Sequence, residues 1–130
     1  MEKEFVDYTE ALELKELGFD GPCCGYYDHL IKELDDISSE VCERLCKHDT
    51  HIKAPTYSQA FRFFREKYRL KGGIDTADMI WSKWSFNIEL KGSSYILYSG
   101  LTEKIYFNSY EEAELECLRK LISIVKEKQL

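Results

Sequence analysis

A chain of 130 residues, 44% hydrophobic and 32% charged, is long enough for one domain of ordinary size and apolar enough to bury a core, which excludes a disordered chain. Its net charge of −6 argues against a nucleic-acid binder, which meets phosphate with a basic face. No apolar run approaches the ~18–20 residues of a membrane-spanning helix. The charged start Met1-Glu2-Lys3-Glu4-Phe5 lacks the apolar stretch of a signal peptide. We therefore expect one domain over residues 1–130, cytoplasmic, its five cysteines held as free thiols. The charge is uneven: residues 1–50 carry fourteen acidic against five basic side chains, and residues 51–110 carry nine basic against five acidic.

Asp7 and Glu10 have capping-box spacing, and Tyr8, Ala11, Leu12, Leu14 and Leu17 follow at helical steps, so a helix is expected over 8–17 with Gly18 as its left-handed cap. Asp20-Gly21-Pro22 is a turn, and Cys23–Tyr27 reads as a short strand. Residues 28–50 are ambiguous between helix and strand. Leu30, Leu34, Ile37, Val41 and Leu45 keep helical spacing, but Asp35-Asp36 and Ser38-Ser39 interrupt it, so the helix expected here begins near Ser39 and ends near Cys46. Lys47–Lys53 reads as a loop.

Thr56 and Gln59 form a second capping box. Tyr57, Ala60, Phe61, Phe64 and Tyr68 then make one apolar stripe of a helix over about 57–70, ended by Gly72-Gly73, with Arg62, Arg65, Glu66 and Arg69 off the stripe. From Met79 the period falls to two. A half-buried strand runs to Leu90, a turn at Lys91-Gly92-Ser93 leads into a return strand Tyr95–Ser99, and Lys104–Phe107 is expected as a third strand. Ser109 and Glu112 cap a final helix over about 110–127, whose wide apolar arc asks for two neighbours. This order predicts an α+β fold, an antiparallel three- to four-stranded meander with helices packed on one face. The central stripe is expected on the strand face of Trp84, Phe86 and Ile88, with Cys117 and Leu121 alongside.

The strings FVDYTEALELKELGFDGPCCGYYD, APTYSQAFRFFREKY and YEEAELECLRKLISIVKEK, in that order, resemble a group of small proteins carried by bacteriophages and prophages of gut bacteria. The resemblance implies an accessory protein that binds a host factor, anti-defence or regulatory, and it transfers no site residue. The central helix, meander and last helix also repeat the α-β-β-β-α order of double-stranded-RNA-binding domains. That fold holds phosphates with lysines at the start of its last helix, where this chain has Ser109-Tyr110-Glu111-Glu112-Ala113-Glu114, so the order is expected without RNA binding.

Four groups of residues are candidates for chemistry. Cys42, Cys46, His48 and His51 are metal-type ligands within ten residues, but they lack the two separate ligand pairs of a structural zinc site, and no metal is expected. Cys23 and Cys24 with His29 would need an orienting third group to act as nucleophile and base, and none is identifiable. Arg62, Arg65 and Arg69, near Lys67 and Lys71, form a basic patch, read first as a solvated helix face. Trp81, Met79 and Phe63 lie off the main apolar faces and would make a binding patch if exposed together. The sequence has no Walker loop, G-x-G-x-x-G, H-E-x-x-H or nucleophile elbow. The expectation is a non-catalytic protein without a cofactor that binds a host protein. The alternative is a sponge or sensor for an anionic, nucleotide-like ligand held by Arg62, Arg65 or Arg69 and stacked on an aromatic ring.

Overall fold

The N-terminal helix forms as α1, Tyr8–Glu16, in the computed structural model of the chain. The structure describes residues 4–21, 25–28, 34–36, 51–77, 80–92 and 95–128, with 34–36, 77 and 80–82 described in their backbone alone. Gly18 takes the left-handed backbone at φ 96°. The Phe19 N–H donates to the Leu14 carbonyl at 2.9 Å and the Gly18 N–H to that of Lys15 at 3.0 Å, which satisfies the last carbonyls of the helix as its glycine foretold. Asp7 stands at the N-cap, but its side chain accepts no cap hydrogen bond, so its half of the expected capping box is not made.

The chain falls into two compact units, Met1–Ala60 and Phe61–Leu130. In the first, β1 (Gly25–Asp28) runs antiparallel between β2 (Leu34–Asp36) and β3 (His51–Lys53). One reading is corrected here, and one left open is settled for three residues. His51–Lys53 is strand and not loop, because Ile52 is buried opposite Tyr27 while its neighbours are half-buried, the alternation of a paired strand. Within the ambiguous 28–50 stretch, Leu34–Asp36 is also strand. The helix expected from Ser39 to Cys46 lies outside the described residues. The Val6 N–H donates to the Pro55 carbonyl at 2.9 Å, and the buried Tyr27 hydroxyl donates back to the Val6 carbonyl at 2.7 Å, so the start of the chain is tied into this unit's core.

The helix α2 (Tyr57–Lys67) starts from the predicted box: the Gln59 N–H donates to Thr56 Oγ1 at 3.2 Å, and the Thr56 N–H to Gln59 Oε1 at 2.9 Å. Tyr57, Ala60, Phe61 and Phe64 are buried as the stripe requires. The helix stops short of 70 because Arg69 adopts the left-handed backbone at φ 57° and turns the chain into a strand. Gly72-Gly73 is thus not a helix terminator. Both glycines lie inside β4 (Leu70–Ala77), which pairs antiparallel with β5 (Ile80–Leu90); a turn at Lys91 and Gly92 leads on towards β6 (Ile96–Ser99). The second sheet has the order β4-β5-β6. The meander is therefore real, but it begins one strand earlier than the sequence indicates.

The last helices are α3 (Gly100–Glu103) and α4 (Tyr110–Lys128). The Glu112 N–H donates to Ser109 Oγ at 3.1 Å, as the predicted cap requires. The fold is α+β, with α4 lying on β4 and β5 and burying Cys117, Leu118, Leu121, Ile122 and Val125. Of the core arrangement expected from the sequence, this is the part played by Cys117 and Leu121. On the opposite face, Asn87 donates to Asp75 at 3.3 Å in the open.

Gly72 fixes how near the helix can come, since a Cβ there would stand 2.8 Å from Cys117 Sγ and 3.3 Å from Leu121 Cδ1. At Gly73 the crowding atom is the Asn87 side-chain oxygen, 2.9 Å away on the open face, where it can swing aside. Gly72→Ala should therefore cost ~1–3 kcal/mol by overpacking, whereas Gly73→Ala should be neutral or gain a few tenths from unfolded-chain entropy. Phe64, wholly buried, should cost ~3–5 kcal/mol on truncation to Ala. Urea melts of the three variants check this; equal losses for the two glycines would mean that Gly72 does not set the helix–sheet distance.

Candidate binding face

The segment between β6 and α4 leaves the sheet and returns to it. The sequence predicts a strand over Lys104–Phe107, but of these residues only Phe107 pairs, exchanging backbone hydrogen bonds of 2.8 and 2.9 Å with Trp84. The reason is the one-turn helix α3. Ser99 Oγ caps it by accepting from the Thr102 N–H at 3.3 Å, and Lys104 ends it in the left-handed backbone at φ 59°. The excursion is pinned from inside. Ser85, fully buried, donates from its hydroxyl to the Ile105 carbonyl at 3.0 Å. Gly100 sits where a Cβ would fall 2.1 Å from Ser85 Oγ. With its backbone held inward, the segment turns its side chains out. The large apolar side chains that are exposed among the described residues are Tyr95, Ile96, Leu101, Ile105, Tyr106 and Tyr110, all within residues 95–110.

Beside this segment lies a shallow cleft of about 480 Å³. Its wall is a row of nearly parallel rings on the α4 side of the sheet. Phe86 and Tyr98 are 4.9 Å apart at 23°, and Phe86 and Phe107 are 5.9 Å apart at 22°. Ile105 lines it from the excursion, and Glu116, Arg119, Lys120 and Ser123 from α4. The Lys120 ammonium stands 5.3 Å over the Tyr98 ring, and Arg119 pairs with Glu116 at 2.8 Å. Aromatic edges carry partial positive charge, so the rings and Lys120 together favour a ligand group that is apolar or anionic. Burial, and then the Glu103 carboxylate, raise the phenol of Tyr98 above its ordinary value.

The arginines named from the sequence do not line this cleft. Arg62 is exposed and bonds Glu66 one turn along at 2.9 Å, which holds that carboxyl below its ordinary range. Arg65 is half-buried, and Arg69 is exposed on the turn beyond the helix. Lys67 stands 5.5 Å from both the Phe63 and Tyr68 rings, and Phe63 is half-buried in that cluster. The Trp81 backbone belongs to β5, but its side chain lies outside the described part, as do Met79, Cys23, Cys24, His29, Cys42, Cys46 and His48. His51 is on β3, its Nε2 3.7 Å from Asp28 Oδ2. Among the described residues no group of three metal-ligating side chains comes together, and no helix is long and apolar enough to cross a membrane.

Sequence reading missed the cleft because its residues come from β5, β6, the excursion and α4, whose juxtaposition no local pattern encodes. The spacing of Glu116, Arg119 and Lys120 on the polar side of α4 was the available signal.

Under the sheet face, burial pushes the Cys117 thiol up to about 12, with Glu114 adding to the effect. It is therefore a packing group and not a nucleophile at neutral pH. Cys117 should resist iodoacetamide at pH 8 in the folded protein and react on unfolding in urea, as read by mass spectrometry of its peptide. Rapid labelling without urea would mean that α4 does not lie closed on the sheet.

No family model, no curated protein and no solved structure matches this chain.

Proposed function

We propose that this is a non-catalytic binding protein, an accessory protein of phage or prophage type, whose working surface is the 95–110 segment and the adjoining cleft. The observation that carries the reading is the gathering of the exposed apolar side chains into that one segment. Scattered apolar side chains are ordinary on a protein surface, whereas a concentrated set marks an interaction site. The partner is a host protein whose docking surface has an apolar centre and carboxylates beside it. Leu101, Ile105 and Tyr106 meet the centre, and Lys104 and Lys120 meet the carboxylates. The resemblance to phage proteins supports a host partner, and the acidic 1–50 region disfavours nucleic acid.

The test is affinity purification from host cells with the intact chain and two variants. Leu101→Lys with Ile105→Lys should abolish recovery of a stoichiometric partner while the melting temperature holds. Arg62→Ala with Arg65→Ala should leave recovery unchanged. Recovery that survives the first variant and is lost with the second would overturn the assignment of the surface.

A second reading is supported by Lys120 over Tyr98, the arrangement suited to a planar anionic ligand such as a nucleotide. It moves the anionic site from the arginines of α2 to the cleft. Under it, a nucleotide mixture should raise the melting temperature, and Lys120→Ala should remove that rise.

A further inference from the structure

The cleft beside the 95–110 segment holds one cation that its own chain leaves unmatched. Arg119 is engaged by Glu116 at 2.8 Å, whereas among the described residues the Lys120 ammonium has no carboxylate partner. It stands instead 5.3 Å over the Tyr98 ring, which holds it at one end of the aromatic wall. The charge on offer to a ligand is small. One acidic and two basic side chains line the cleft, a surplus of one, and the Glu103 carboxylate lies close enough to raise the Tyr98 phenol. A ligand with several negative charges would be repelled by Glu103 and Glu116 once Lys120 is matched.

The wall itself favours an aromatic group. Tyr98, Phe86 and Phe107 are stacked in a row, with successive planes 23° and 22° apart. A row of stacked rings presents edges along its side, and a ring edge is drawn to the face of another ring. Ile105, 42% exposed, belongs both to this cleft and to the apolar segment outside it, so the two form one continuous surface. A shallow cleft does not enclose the ~70–90% of a small ligand's surface that such pockets bury. It suits a side chain projecting from a larger docking surface.

From this we infer that the cleft receives an aromatic side chain of the partner protein, with one carboxylate within two positions of it along the partner's chain. The ring lies flat on the edges of Tyr98, Phe86 and Phe107, and the carboxylate meets the Lys120 ammonium. Consecutive residues stand ~3.8 Å apart, so one short peptide spans the 5.3 Å from the Tyr98 ring to the ammonium. Ser123, three residues after Lys120 and so on the same side of α4, offers the carboxylate a hydroxyl donor. Lys120 is already held by Tyr98, which lowers the ordering cost of the ion pair. The inference rests on the first reading of the function, capture of a host protein.

NMR titration of the isotope-labelled full chain tests it, with the capped dipeptides acetyl-Phe-Glu-amide, acetyl-Phe-Gln-amide and acetyl-Ala-Glu-amide as probes. The Phe-Glu probe should shift the amide signals of Tyr98, Ile105, Phe107, Lys120 and Ser123. Changing its Glu to Gln should weaken binding about two- to fivefold, the worth of a half-exposed ion pair. Changing its Phe to Ala should weaken it about tenfold or more. In Lys120→Gln the Phe-Glu and Phe-Gln probes should bind alike, which isolates the ion pair. Circular dichroism melts confirm that the variant folds. Equal binding of those two probes to the unaltered chain, or no shift at these signals, would overturn the inference. So would ATP shifting them at lower concentration than the Phe-Glu probe, an outcome that gives the cleft to a nucleotide. If the probes fail while Leu101→Lys with Ile105→Lys still abolishes capture of the host protein, the occupant is wrong and the first reading stands. Capture indifferent to that variant strikes the reading itself.

Discussion

The second unit rests on how closely a helix can approach a sheet. Helix α4 meets β4 and β5 at Gly72, where the absent side chain lets Cys117 and Leu121 sit against backbone. A helix held off by one methyl group would lose contact along its whole buried face, because dispersion forces fall steeply over fractions of an ångström. The same contact decides where the sheet stays open. The helix covers β4 and β5, and at β6 the rings of Phe86, Tyr98 and Phe107 form a wall that it lines with charged side chains. The cleft is the uncovered margin of a sheet whose centre is closed.

The excursion after β6 follows from a second constraint, that a buried hydroxyl needs a partner. Ser85 falls on the polar side of the alternating pattern of β5 and would be solvated on an open sheet face. Here Gly100 and the Ile105 carbonyl close over it, and its hydroxyl finds that carbonyl. The polar atoms of the segment turn inward, which leaves its apolar side chains facing water. An inversion of the usual arrangement is thus local and has a local cause.

Local signals in the sequence were legible where the chemistry was local. The Thr56–Gln59 box, the Gly18 cap and the onset of α4 all appear as read, because each depends on residues within a few positions. The failures share a cause of the opposite kind. β4 was read as a helix end because Gly72-Gly73 is a poor strand sequence, and it becomes a strand through pairing with β5 and the demand of Cys117 for space. β3 is three residues that mean nothing until β1 lies beside them. The binding face is illegible for the same reason, since neither Tyr98 nor Lys120 announces the other. The basic character of α2 was visible in the sequence, but not the engagement of Arg62 with Glu66 and of Lys67 with two rings.

The boundary between the two units falls inside α2, and this bears on how the protein can be divided. The helix has eleven residues, of which Tyr57–Ala60 belong to the first unit and Phe61–Lys67 to the second. Cutting there would leave pieces of four and seven residues, well below the ~12–15 that an isolated helix needs to hold together in water. The Thr56 cap would go with one fragment and Phe64 with the other. Expression of either half alone therefore calls for an overlapping design in which both fragments keep the entire helix. Proteolysis at this point is likewise disfavoured, because a protease must first unwind the segment it cleaves.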